Sequence, residues 1–203
     1  MSVHGIDPGL ANIGRASISQ YGGKPESEHF IPPGTGVQRL VAIYRWAAAL
    51  PVCHLVVVEN FAFDRANQAH QIGQARGALE LGLHCRGQDV IFLSPSELKQ
   101  WLSGKGNLPK PLMPMRVLAH WGFEAQSEHE AAAYGLMKFG EALLLVQGGI
   151  GIGTVKSALD LTEYQVGVLS GFLDREAAEE VKAQAERGRA ERRMARRRKV
   201  GAR

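Results

Sequence analysis

The chain has 203 residues, a formal net charge of +4 and an ordinary apolar share of 45%. That is enough for one sizeable α/β domain with an appendage. The two cysteines, Cys53 and Cys85, match neither a zinc spacing nor a disulfide framework and are read as small core residues in a reducing compartment. No basic-then-apolar leader opens the sequence and no apolar run is long enough for a bilayer, which predicts a cytoplasmic protein without a membrane partner. The charge is uneven. Residues 174–203 hold eleven Lys/Arg and six Asp/Glu, and the remainder is close to neutral at −1. A basic end segment fits a polyanion partner or a solvated tail.

In chain order, residues 2–7 read as a buried strand that ends in an acid, Val3-His4-Gly5-Ile6-Asp7. Residues 13–19 and 27–31 follow as further strands of an antiparallel meander, before a break at Pro32-Pro33-Gly34. Residues 37–50 carry helical periodicity. The strand 54–59 ends in a second acid, Glu59. A helix is expected over 66–84 and a short buried strand over 89–93. Ser94-Pro95-Ser96-Glu97 is a helix start, with Pro in the first turn and an acid near the positive end of the dipole. A basic glycine loop at Ser103–Asn107 precedes helices over 109–121 and 127–146. The glycine run 148–153 reads as a hinge, because it does not link a strand to a helix as a phosphate loop does. It separates a domain over 1–150 from an extension over 151–203, in which 156–173 forms a short amphipathic helix. Residues 174–199 favour helix but lack an apolar stripe. The element order implies a mixed sheet flanked by helices.

If the first and fourth strands are neighbours, Asp7 and Glu59 lie side by side at one sheet edge. Two adjacent negative charges are costly unless a divalent cation neutralises them, so the pair points to a metal-dependent site.

Five patterns follow one another in order: Gly5-Ile6-Asp7-Pro8-Gly9; Val58-Glu59; Gly73-Gln74-Ala75-Arg76-Gly77; Lys99-Gln100 with Gly104-Lys105-Gly106 and Lys110-Pro111-Leu112-Met113; and His129-Glu130-Ala131-Ala132-Ala133-Tyr134-Gly135-Leu136. The set resembles the RuvC family of Holliday-junction resolvases, in the ribonuclease-H-like superfamily, over roughly residues 2–147. The tail and compact length look more like a phage or mobile-element member. The resemblance implies a ribonuclease-H-like five-stranded sheet. It also implies a homodimer that makes paired symmetric nicks in four-way junction DNA during recombination and repair. Two Mg²⁺ ions, replaceable by Mn²⁺, would flank the phosphodiester. By position, Asp7 and Glu59 would be metal ligands. His129 would bind metal or orient water, and Lys110 would stabilise charge on the phosphate.

The pattern departs from the family at Ala132, where the family has an aspartate. Residues 129 and 132 are three apart and share a helix face, so the geometry of a pair survives with one ligand missing. Three explanations compete: an introduced Asp→Ala change, a natural binder of branched DNA without nuclease activity, or another acid in the role. Glu128 lies on the same face as 132, whereas Glu130 is rotated away and expected to be exposed. The otherwise intact site favours the first.

Phosphate contacts would come from Arg76, Lys99, Lys105, Lys110 and Arg116. Each taken singly is an ordinary surface charge; the cluster of Lys99, Lys105 and Lys110 with no acid after Glu97 is not. Phe61 or Phe63, directly after Glu59, could wedge a junction open or simply cap the core. The remaining histidines show no ligand spacing. Trp46, Trp101 and Trp121 read as packing. Small residues on the helix 66–84 (Ala66, Ala69, Gly73, Gly77) would allow close approach across a dimer, or pack on the sheet. The extension is expected to bind DNA or another protein. Rival readings are a catalytically inactive branched-DNA binder and a nuclease for forks or RNA hybrids. An actin-like ATPase is disfavoured by length.

Overall fold

The computed structural model describes residues 1–19, 24–60 and 69–201, with side chains beyond Arg187 and that of Ala185 left aside. Phe61 and Phe63 lie outside the described residues.

Five strands form one sheet: β1 (Val3–Pro8), β2 (Ile13–Ile18), β3 (Glu26–Phe30), β4 (Leu55–Glu59) and β5 (Val90–Leu93), in the order β3-β2-β1-β4-β5. β1, β2 and β3 pair antiparallel; β4 joins β1 in parallel and β5 joins β4 in parallel. This is the mixed sheet expected from the element order, with the first and fourth strands adjacent. The helices are α1 (Gly36–Ala49), α2 (Ala69–Cys85), α3 (Pro95–Ser103), α4 (Met113–Trp121), α5 (Glu128–Gln147), α6 (Ile152–Leu159) and α7 (Glu163–Gly201). A 3₁₀ turn at Lys110–Leu112 leads into α4.

β1 and β4 are covered on both faces, which is why both read as nearly continuous apolar runs. The side-chain period of two then sorts their residues. Ile6, Val56 and Val58 pack into a core with Ile43 and Ala47 of α1 and Leu79 and Leu83 of α2. Val3 and Gly5 of β1, and Leu55 and Val57 of β4, lie against α5. The same alternation sends Asp7 and Glu59 to the α5 side. The register pairs Val3 with Leu55 and Ile6 with Val58, so the two acids come next along neighbouring strands.

α5 approaches the sheet very closely. A Cβ on Gly5 would sit 2.1 Å from the Ala133 carbonyl oxygen, and one on Gly14 would sit 2.3 Å from that of His129. Ala131, Ala132 and Ala133 are fully buried in the same stretch. Small residues on both sides therefore bring the first turns of α5 down onto β1 and β2. Ser127 caps the helix by accepting from the Glu130 N–H, and the Glu130 carboxylate accepts from the Gln126 N–H at 2.7 Å. Glu130 is thus 8% exposed, not the solvent-facing acid expected. Its job in capping draws it inward. α3 starts as anticipated: Ser94 and Glu97 form a reciprocal capping box.

Two expectations are corrected here. Cys85 is exposed and is no core residue, whereas Cys53 is half-buried and packs against the core. The helix expected over 156–173 is broken at Asp160, which ends α6 in a left-handed conformation (φ 52°). α7 then runs unbroken through residue 174. The chain divides into two compact units, Met1–Val166 and Gly167–Arg203, so α6 and the first turn of α7 belong to the first. Tyr164 shows why: its hydroxyl meets His120 Nε2 at 2.7 Å and its ring lies over Gly104.

Gly5→Ala should lower stability by about 2–4 kcal/mol, because both nearest atoms, the Ala133 oxygen and the Met137 nitrogen, are backbone and cannot rotate away. Urea unfolding midpoints measure it. A loss below about 1 kcal/mol would mean that α5 is free to shift outward.

Candidate active site

Asp7 and Glu59 stand at the C-terminal ends of parallel neighbours and are 3% and 5% exposed. Two elements bring partners to them. From the start of α5, His129 places Nδ1 at 2.7 Å from Asp7 Oδ2. From the 3₁₀ turn, Lys110 places Nζ at 3.6 Å from Asp7 Oδ2 and 3.5 Å from Glu59 Oε2. Among the described residues, Glu59 Oε1 is buried without a hydrogen-bond partner. An orphaned buried carboxylate oxygen signals a ligand yet to be supplied.

The two carboxylates are driven apart electrostatically. For Asp7, burial alone would raise the pKa, but the His129 hydrogen bond and the Lys110 charge outweigh it and hold the group below its ordinary range. Glu59 goes the other way. Burial first, and then the charge of Asp7, push it up to about 8, with Lys110 offsetting only part. The Asp7 hydrogen bond raises His129. Burial would lower Lys110, yet the charges of Asp7 and Glu59 together raise it. Without a cation the pocket therefore favours one ionised and one protonated carboxyl, with Lys110 between them.

A buried acid pair on adjacent parallel strands, faced by a histidine and a lysine, suits hydrolysis of a phosphodiester. Comparison with known proteins agrees. The family described as "Crossover junction endodeoxyribonuclease RuvC" matches residues 3–133. The chain belongs to the RuvC family. It is 26% identical over 148 residues to the crossover junction endodeoxyribonuclease RuvC of Synechococcus sp. (strain WH7803), covering 66% of this chain and 92% of that one. To the RuvC of Carboxydothermus hydrogenoformans it is 28% identical over 158 residues, covering 70% of this chain and all of the relative. Among solved structures it resembles Thermus thermophilus RuvC, with a TM-score of 0.57 and 24% identity over 74% of this chain and 98% of that one. T. thermophilus RuvC in complex with Holliday junction substrate gives a TM-score of 0.56 at 22% identity. At these identities the structural likeness establishes the ribonuclease-H-like fold.

The RuvC-like residues named from sequence fall into two groups. Asp7, Glu59, His129 and Lys110 converge. Ala132 is fully buried one turn beyond His129 and offers no donor. Glu128 is half-buried, and its charge is felt at both Lys110 and His129. Lys105 and Arg116 are exposed, and Lys99 is half-buried on α3. Arg76 is engaged within the chain: it pairs with Glu80 and Asn60, and its guanidinium lies 4.3 Å from the centre of the Phe92 ring. It therefore braces the segment that leaves Glu59.

Sequence reasoning passed over His29. Its ring stacks beside that of His129, 6.3 Å between centroids at 19°. It reaches there because β3 pairs with β2, with His29 opposite Gly14, and α5 crosses at Gly14. Only the strand register could have revealed this.

The shift of Glu59 has a stability consequence. An acid with a raised folded-state pKa favours the fold at low pH, and that contribution is lost as pH rises from 4.5 to about 8. The metal-free protein should lose about 1.4 kcal/mol per pH unit in that window through this group. Glu59→Gln should remove this part of the loss, leaving the smaller fall above pH 6.5 that the raised His129 contributes. Urea midpoints in EDTA at pH 5 and pH 9 test it; an unchanged pH dependence in the variant would refute the assignment.

Proposed function

We propose that this chain is a structure-selective DNA endonuclease of the RuvC type, acting in the cytoplasm on four-way junctions. The observation that carries this is the convergence of Asp7, Glu59, His129 and Lys110, from four separate stretches of chain, around one buried acid pair. Family membership narrows the substrate to crossover DNA. Among the described residues no helix is long and apolar enough to cross a membrane.

The donor set fits a hard divalent cation. Two carboxylates lie side by side, one oxygen of Glu59 lacks a partner, and Lys110 already supplies positive charge between the two acids. Mg²⁺ needs only one or two protein carboxylates with water, and Mn²⁺ suits the same ligands. Asp7 and Glu59 would hold it. A second ion would draw on Asp7, His129 and Glu128, since Ala132 offers nothing. Among the described residues no group of three or more acids, histidines or cysteines forms a ready-made cage. When bound, the metal supplies Lewis-acid stabilisation of the phosphoryl oxygens and a more acidic water.

The chain's own residues divide the remaining work. Asp7 fixes His129 through Nδ1, which leaves Nε2 to accept a proton from the attacking water. Water adds to phosphorus as the bond to the 3′ oxygen breaks, leaving a 5′-phosphate and a 3′-hydroxyl. Lys110 is placed to donate to the phosphoryl oxygen that gains charge. Exposed Lys105 and Arg116, with Lys99, would hold the flanking backbone.

Paired nicks need two active sites. α2 supports a homodimer. A Cβ on Gly73 or Gly77 would meet nothing within 4 Å, and Leu81 beyond them is 55% exposed. The small-residue face therefore does not pack on the sheet.

A second reading rests on Ala132: a branched-DNA binder that does not cut. Nicking of a labelled mobile junction in Mg²⁺ and Mn²⁺, with Ala132→Asp alongside, separates the two. We expect the aspartate variant to nick at least about 10–100-fold faster, symmetrically, and Asp7→Asn to abolish nicking. If both bind and neither cuts, the binder reading stands. If both cut equally, Glu128 completes the site, and Glu128→Gln should then stop it.

A further inference from the structure

α7 has a charge pattern that the active site does not use. Residues 174–186 carry five acids and two bases, whereas residues 187–203 carry nine bases and one acid, Glu191. Helix continues through Gly201. Within it, positions 189, 192, 193, 196 and 197 are all arginine. On a 3.6-residue helix these are i, i+3, i+4, i+7 and i+8, which share one face.

Two ordinary explanations account for part of this. Acids early and bases late in a helix suit its macrodipole, but that effect fades within the last turn, and Arg189, Arg192 and Arg193 lie earlier. Intrahelical ion pairs would need acids three or four residues away; Glu186 stands three before Arg189, but no acid stands at that spacing from Arg192, Arg193, Arg196 or Arg197. Instead Arg189–Arg193, Arg192–Arg196 and Arg193–Arg197 are like charges four apart, which weaken a helix on its own. Such a face becomes favourable against a regularly spaced polyanion. A membrane surface is disfavoured, because Met194 and Val200 are the only apolar residues larger than alanine in 187–203. The segment is also an addition to the family core. The Carboxydothermus relative is matched along its whole length by 70% of this chain, and the family match ends at residue 133.

We propose that the arginine face of α7 is a sequence-independent binding surface for the phosphate backbone of duplex DNA, an accessory grip on the arms of the substrate. The inference rests on the reading of the chain as a DNA-acting protein and extends it to a second contact surface outside the active site. Backbone neutralisation releases counterions, so its signature is the salt dependence of affinity.

The test is fluorescence-anisotropy binding of the full chain across a salt series, on a four-way junction and on linear duplex of matched length. The variants change Arg189, Arg192, Arg193 and Arg196 together, either to Gln or to Lys. Circular dichroism confirms that helix content is retained. With about 0.9 in log-log slope per phosphate contact, the Gln variant should lose roughly 3–4 in slope on both DNAs, and the Lys variant should recover it. An unchanged slope in the Gln variant overturns the proposal, as does failure of the Lys variant to restore it. If the slope falls but neither protein prefers junction over duplex, the grip stands while the junction reading fails.

Discussion

Parallel pairing of β1 with β4, in a register that carries two acids to the same face at the same height, imposes the constraint that the surrounding structure answers. Two carboxylates are buried side by side at 3% and 5% exposure. Water cannot screen them there, and each disfavours the charge of the other. The molecule responds with asymmetry. His129 and Lys110 keep Asp7 ionised; Lys110 also reaches Glu59 but offsets only part of its burial and its negative neighbour, and among the described residues one Glu59 oxygen finds no partner. The pair is therefore poorly satisfied by the protein alone, and a cation relieves the repulsion and the orphaned oxygen together.

That arrangement depends on how closely α5 lies on the sheet. His129 reaches Asp7 because the first turn of α5 crosses β2 at Gly14 and the turns after it cross β1 at Gly5, with the helix backbone where side chains would otherwise stand. The run of alanines from 131 to 133 serves the same approach. Capping by Ser127 and Glu130 fixes where the helix begins, and so which residue faces Asp7. A one-residue shift of that start would turn His129 away by about 100°. The geometry around the acid pair is thus set by residues that carry no chemistry themselves.

Much of this was readable from sequence because it is local. Strands ending in Asp7 and Glu59 announce themselves by apolar runs, and the capping box at Ser94 by its spacing. Their adjacency hung on the first and fourth strands being neighbours, which the parallel pairing of β1 with β4 supplies. What could not be read depends on register or on competition between partners. Glu130 looked exposed by helical angle, but its place three residues after a capping serine draws it inward. Arg76 sits in the motif most diagnostic of the family, yet Glu80, Asn60 and Phe92 occupy it. Asp160 breaks a stretch whose periodicity continues, because a single left-handed residue ends a helix without altering hydrophobic pattern. His29 meets His129 only through pairing of the edge strand.

Ala132 is best understood against the same electrostatic constraint. It is fully buried, on the helix turn that follows His129, and Glu59 elsewhere in the site is already pushed up to about 8. A third carboxylate there would add another buried negative charge to a site with one lysine and one histidine to answer it. Without metal, such a site would be less stable than this one; with metal, it would hold the ion more tightly. Alanine moves the balance toward a fold that depends less on the cation, at the expense of a ligand. Around Ala132, Asp7, Glu59, His129 and Lys110 converge, and α5 lies close on the sheet. A long-decayed nuclease would have little reason to maintain a buried, mutually repelling acid pair, since replacing either acid by a neutral residue would relieve the fold. Persistence of that costly pair argues that the site still has a cation or a phosphate to meet.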